Sequence, residues 1–190
     1  MNLPIINCQQ STFHQFIEFW SGFYSYDKEY IYDDCIGKHT LSKDDIQALF
    51  IWKNGMKLSV AKHKSLEEKV ISRLATINYL KSQTFVNPAD LNNKFQDITF
   101  VWRAYLMHII RPNEIPIYDQ NVHRAYNYIH GIDYLSTSEY LNDRIKELFY
   151  FEEYFPFIRS ISGLTLRKID RALFAFGQFL KNQTYSNMLK

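Results

Sequence analysis

Apolar residues recur along the chain at helical spacing, and nowhere does a strict alternation persist long enough to predict a strand. Phe13, Phe16, Ile17 and Trp20 share one face of a first helix that Ser11 or Thr12 can cap, running to about Tyr24. The stretch from Tyr26 to Thr40 is polar and aromatic without a clear period, and reads as a loop with one turn of helix at most. Ser42 with Asp45 forms a capping box for a helix carrying Ile46, Leu49 and Phe50, which Asn54-Gly55 stops. A basic connector from Met56 to Lys64 follows, and Ser65-x-x-Glu68 opens a helix with Val70, Ile71, Leu74, Ile77 and Leu80 on its apolar face.

Asn87-Pro88 breaks the chain, and Pro88 to Lys94 predict a short helical turn. The run from Ile98 to Ile110 is apolar nearly all round, the mark of a helix buried at the centre of an α fold. Arg111-Pro112 ends it, and a short loop leads to Asp119. There Val122, Ala125, Tyr126 and Ile129 repeat at i, i+3, i+4 and i+7 and Gly131 closes the run, so Asp119 is predicted to be an N-cap. Ser136-x-x-Glu139 is a capping box for a helix carrying Leu141, Ile145, Leu148, Phe149 and Phe155, which Pro156 should kink or end. Gly163 and Thr165 start the last helix, with Leu166, Ile169, Leu173, Phe176 and Leu180 as its stripe and Arg167, Lys168 and Arg171 among its basic residues. The predicted fold is all-α with about seven helices and no internal repeat.

Composition narrows the function classes. The 190 residues, 46% hydrophobic, suit one domain or two small lobes sharing a cleft. A net charge of +2 excludes a general polycation, so any nucleic-acid contact must come from a local patch. Two cysteines, Cys8 and Cys35, are too few for a disulfide framework, and no Cys-x-x-Cys pair is present; no metal or cofactor is expected. No leader-like start and no apolar span of membrane length occurs, so a cytoplasmic protein without a membrane partner is expected. Aromatic residues make up 17% of the chain, enough to fill the core and leave tyrosines for stacking on bases or for an interface.

One segment carries candidate chemistry. Pro116, then Asp119-x-x-Val122-x-Arg124 at a helix start, resembles the Pro-x-x-Asp-x-His-Val-x-Arg segment of the helix-hairpin-helix (HhH-GPD) DNA glycosylases. The layout is similar as well: a helix ending in a polar wedge turn, a second helix, a hairpin, a buried helix, a short loop and then the aspartate. The resemblance spans roughly residues 46–128 and implies two helical lobes flanking a cleft, one of roughly residues 30–130 and one of 1–29 with 131–190. It implies a monofunctional enzyme that hydrolyses the N-glycosidic bond of a damaged or modified base in duplex DNA with that base extruded. Asp119 would activate water and stabilise the positive charge that builds on the sugar. A helix N-terminus suits that task, because its amides and dipole hold a carboxylate still and ionised. The same residue types fit capping alone.

By the same resemblance His123, one turn beyond Asp119, would orient the carboxylate or simply support the helix surface. Trp52, Lys53 and Asn54 occupy the wedge turn, where the bland alternative is a helix end with Trp52 packed inward. Lys57, Lys62, Gln120 and Arg124 would meet the DNA backbone, with a solvated face or an internal ion pair as the alternative. Tyr26, Tyr32, Asp33, Trp102 and Tyr118 would line the base pocket. Two features depart from the family. No glycine occurs between Leu91 and Asp97, where its phosphate-gripping hairpin lies, and Val101, Trp102 and Arg103 stand where strand-cutting members carry a lysine, so no lyase activity is expected. A non-catalytic helical DNA- or protein-binding domain on the same scaffold is the alternative.

Overall fold

The computed structural model describes residues 12–135 and 141–182, and among them every regular element is a helix. They are α1 (Phe13–Ser21), α2 (Glu29–Ile36), α3 (Lys43–Asn54), α4 (Val60–Lys69), α5 (Leu74–Ser82), α6 (Pro88–Lys94), α7 (Phe100–Ile110), α8 (Gln120–Ile129), α9 (Asp143–Phe149), α10 (Phe155–Ser160) and α11 (Leu166–Lys181). A 3₁₀ turn (Ile71–Arg73) joins α4 to α5, and a π-helical turn (Tyr150–Tyr154) joins α9 to α10. The all-α class therefore stands, with more helices than the apolar periods predict.

The local signals held where they were chemical. Thr12 caps α1 through its hydroxyl, 3.2 Å from the Gln15 amide. Both halves of the Ser42/Asp45 box form, at 3.1 and 2.8 Å. Gly55 takes the left-handed conformation, φ 74°, with its N–H on the carbonyls of Ile51 and Trp52. Thr165 caps α11. The Ser136/Glu139 box lies outside the described residues.

Two expectations need correction, and of the two outcomes expected at Pro156, a kink or an end, the second does not occur. The stretch after Tyr26 contains a full helix, α2, because Tyr32 and Cys35 turn inward one step apart on one face while Asp33 and Asp34 stay in solvent. Those two acids hide the period. The basic connector is largely helical too: Ser59, not Ser65, caps α4, and the helix predicted from Ser65 to Leu80 is broken at Val70 by the 3₁₀ turn. Pro156 does not end its helix. The turn before it widens, with the Phe155 N–H reaching back five residues to the Tyr150 carbonyl, and the helical run continues as α10.

The chain divides into two compact units. One comprises residues 26–118 and 142–155, the other 1–25, 119–141 and 156–190, so Asp119 opens the second unit and 142–155 joins the first. The first unit is built around α7, nine of whose eleven residues are buried, as an all-round apolar helix must be. Phe50, Trp102, Tyr105, Trp52 and Tyr32 form a ring cluster along it. In the second unit α1, α8 and α11 pack through Trp20, Tyr128 and Phe176, with centroids 4.8 and 5.2 Å apart. α8 and α11 meet closely at Gly177, where a Cβ would stand 2.0 Å from the Asn121 carbonyl oxygen.

Candidate functional site

Asp119 has extended backbone and directs one carboxylate oxygen, Oδ1, at the free amides of the first turn of α8: Asn121 at 2.8 Å and Val122 at 3.1 Å. It is half-buried, where the next turn of the same helix is closed to solvent. Two backbone donors at the start of α8 hold the side chain in one orientation.

The loop that leads to it is buried from Ile115 to Tyr118 and is held by side chains. The His108 Nδ1 lies 2.6 Å from the Ile115 carbonyl, the Tyr150 hydroxyl donates to Pro116 at 2.9 Å, and the Tyr154 hydroxyl donates to Ile117 at 3.2 Å. A carbonyl only accepts, so the His108 Nδ1–H donates to it, and Nε2 lies 2.7 Å from the Tyr32 hydroxyl. Tyr118 then packs among Phe100, Phe149, Tyr150 and Tyr154. Sequence reasoning missed Tyr150 and Tyr154; their i, i+4 spacing was the available signal.

His123 is buried inside α8, its backbone N–H on the Asp119 carbonyl at 3.1 Å. Arg124, predicted to meet phosphate, is also buried: its guanidinium donates to the Asn121 side chain at 2.9 Å and to the Gly177 carbonyl at 3.2 Å. It ties α8 to α11, because its position on the helix faces α11. Gln120 stays half-exposed and, with Asn121, Gln178, Lys181 and Asn182, lines an open polar groove of about 370 Å³.

At the α3–α4 turn the expectations divide. Trp52 faces inward, stacked on Tyr105 and edge-on to Tyr26, so it is no wedge. Lys53 lies over the Tyr105 ring. Asn54 is bound into the turn, donating to the Met56 carbonyl at 3.0 Å and accepting from the Lys62 ammonium at 2.6 Å. Lys57 and Lys62 are exposed, and so are two apolar side chains of the same stretch that the sequence did not single out, Met56 at 68% and Val60 at 88% exposure.

Four of the five residues predicted to line a base pocket fall into two clusters, and Asp33 belongs to neither. Tyr26 and Tyr32 gather on Trp52, the Tyr26 hydroxyl donating to the Trp52 carbonyl at 3.1 Å. Burial, with Glu29 and Asp27 nearby, raises the Tyr26 pKa. Trp102 is half-buried against Phe50, and Asp33 is exposed. Tyr118, fully buried, belongs to the other cluster. Tyr32 and Tyr118 are core residues here, since each ring is enclosed by other rings.

The Phe100 amide, the first of α7, donates to the Asp143 carboxylate at 3.0 Å. Arg103 is buried and spans to the Glu147 carboxylate at 2.6 Å and the Gln96 carbonyl at 3.1 Å. Elsewhere, Lys81 sets its ammonium between the C-terminal carbonyls of two helices, Ile36 at 3.0 Å and Ile109 at 2.8 Å, and with Lys38, His39 and Arg111 lines a groove of about 230 Å³. Burial, helped by the Arg111 charge, pulls its pKa down to about 8. Among the described residues no three His, Cys, Asp or Glu side chains are grouped to hold a metal, and no helix is long and apolar enough to cross a membrane. Comparison of the chain with protein-family models, with curated proteins and with solved structures gave no match.

Proposed function

We propose that the chain is a monofunctional DNA glycosylase-like enzyme, hydrolysing the bond between deoxyribose and a damaged or modified base. The observation that carries this reading is the Asp119 carboxylate, half-buried at the start of α8 and held by two backbone amides directly after a buried helix and a short pinned loop. Breaking the glycosidic bond leaves positive charge on the sugar; a fixed anion beside C1′ stabilises it and takes the proton of the attacking water, so the product is an abasic site and a free base. Lys57 and Lys62 with exposed Met56 and Val60 give the α3–α4 turn both phosphate-neutralising charge and an apolar tip to fill a vacated stack. The test is incubation with duplexes carrying uracil, alkylated, oxidised and hypermodified bases, followed by alkaline cleavage. Product with the wild type and none with Asp119→Asn supports the reading; no product from any duplex, or full activity in Asp119→Asn, removes it.

A second reading, a helical DNA- or protein-binding domain without catalysis, is favoured by a different observation: no glycine occurs between Leu91 and Asp97, where the family's phosphate-gripping hairpin lies. Salt-dependent duplex binding that Asp119→Asn leaves intact, with no base release, would select the DNA-binding form; absence of any salt-dependent DNA binding would select the protein-binding form.

A further inference from the structure

We propose that the polar groove between the first turn of α8 and the last turn of α11 holds a backbone phosphate of the DNA strand that carries the reacting nucleotide; this rests on Asp119 being the reacting group. The groove, about 370 Å³, is lined by Gln120 and Asn121 from α8 and by Gln178, Lys181 and Asn182 from the end of α11. It lies in the same compact unit as Asp119, and Gln120 and Asn121 are the two residues that follow that aspartate in the chain. Among the described residues the side chains of Gln120, Gln178 and Lys181 have no hydrogen-bond or ion-pair partner, so two amides and one ammonium are open to a ligand.

Chemistry selects the ligand. The lining has no ring and no aliphatic side chain, so a base finds nothing there to stack on. A phosphodiester fits, because it accepts hydrogen bonds from amide nitrogens and is neutralised by one cation. The positive end of α8 and the negative end of α11 border the same groove and offset each other, which leaves Lys181 to set its charge. Asp119 makes that cation necessary. A nucleotide whose C1′ reaches the carboxylate brings a phosphate on each side of its sugar, and an ammonium beside the first turn of α8 offsets the repulsion between the anions.

The walls of the groove are set in advance. α8 and α11 meet at Asn121 and Gly177, and the Arg124 guanidinium donates to the Asn121 side chain at 2.9 Å and to the Gly177 carbonyl at 3.2 Å. Gln178 and Lys181 stand on the turn that follows Gly177, so the backbone that carries them is anchored to α8.

The experiment measures binding of the full chain to a duplex carrying one abasic-site analogue, by fluorescence anisotropy over a salt series, for the wild type, Lys181→Ala, Lys181→Arg and Lys168→Ala. Lys168 is the control: its substitution removes the same charge from α11 at a position paired with Glu18 and outside the groove. Lys181→Ala should lower the slope of log K against log salt by about 1, while Lys181→Arg and Lys168→Ala keep the wild-type slope. Exchanging the phosphates next to the analogue for neutral methylphosphonates, one at a time, should reproduce that loss in the wild type at one position and add nothing to Lys181→Ala there. A wild-type slope in Lys181→Ala, an equal loss in Lys168→Ala, or no phosphate coupled to Lys181 overturns the proposal, as does a wild type that binds no duplex. A wild type that binds but releases no base removes the glycosylase reading alone, and the slopes still decide whether the groove holds a phosphate.

Discussion

Gly177 of α11 and Asn121 of α8 approach so closely that a Cβ at 177 would stand 2.0 Å from the Asn121 carbonyl oxygen and 2.8 Å from its Cα. The atoms in the way are backbone, which cannot swing aside. The Gly177 carbonyl also accepts from Arg124, whose other partner is the Asn121 side chain, so one crossing carries a steric fit and a buried cation. Gly177→Ala must therefore push α8 from α11. Overpacking of this kind costs about 1–3 kcal/mol, and the expected outcome is a fall in Tm of roughly 3–10 °C for a chain of this size. Thermal unfolding checks it; an unchanged Tm would mean that the two helices are not in contact at that point.

What the sequence makes legible is what depends on neighbours a few residues apart. Ser42, Thr165, Gly55 and Asp119 announce helix ends because a hydroxyl, a carboxylate or a missing Cβ acts on amides within the next turn. The burial of α7 is readable because no face of it is polar. The site is less readable. Arg124 looks like a phosphate ligand until Gly177 and Asn121 are brought against it, and Tyr118 looks like a pocket wall until four rings close on it. Both depend on segments tens of residues away in the chain. The i, i+4 spacing of Tyr150 and Tyr154 is visible in the sequence, but their partners, Pro116 and Ile117, lie 34 and 37 residues back in the chain.

Asp119 caps a helix and, on the proposed reading, performs the chemistry, and two substitutions separate those roles. Asparagine caps about as well as aspartate, so Asp119→Asn should leave stability within roughly 0.5 kcal/mol of the wild type. Its charge is gone, so base release should fall by about a hundredfold or more. Asp119→Ala should lose the same activity and in addition about 1 kcal/mol of stability. Chemical denaturation and the excision assay together read the two effects; equal stability losses in both variants would show that the charge, not the cap, holds the helix.

Asp45 predicts an acid limit. Burial acts to raise its pKa, but the Lys38 ammonium at 2.6 Å and the Ser42 amide and hydroxyl, both at 2.8 Å, outweigh burial and bring it down to about 2 from 3.8. Because the folded state holds this proton less tightly than the unfolded chain, the stabilisation is complete above about pH 4 and drains away as pH falls toward 2. It amounts to roughly 2 kcal/mol. Asp45→Asn should be less stable at neutral pH and should flatten the fall in stability between pH 4 and pH 2, measured by urea unfolding across that window.

Lys81 predicts a slope of the same sign at the alkaline end. Its folded pKa is about 8 against 10.5 for the free side chain, so between those values the unfolded chain binds the proton that the folded chain has released. Stability should therefore rise with pH from about 8 toward 10 on account of this one group, by a few kcal/mol at most. A neutral amine still donates to the Ile36 and Ile109 carbonyls, so the helix ends remain capped. Lys81→Met removes both the donors and the titration: it should unfold more easily at pH 7, and its difference from the wild type should widen on going to pH 10.

The exposed lysines of the α3–α4 turn give a prediction that tells phosphate contact from a merely solvated face. Lys62 is anchored by the Asn54 side chain with its ammonium in solvent reach, and Lys57 is exposed beside it. Each phosphate contact adds about one counterion to those released on binding, so Lys57→Ala and Lys62→Ala should each lower the slope of log K against log salt by about 1, with affinity falling for every duplex sequence alike. Lys62→Ala should do more, because it also frees Asn54 and loosens the turn that presents Met56. Fluorescence anisotropy over a salt series reads the slopes. Slopes identical to the wild type in both variants would remove this turn from the DNA-binding surface, whatever the fate of Asp119.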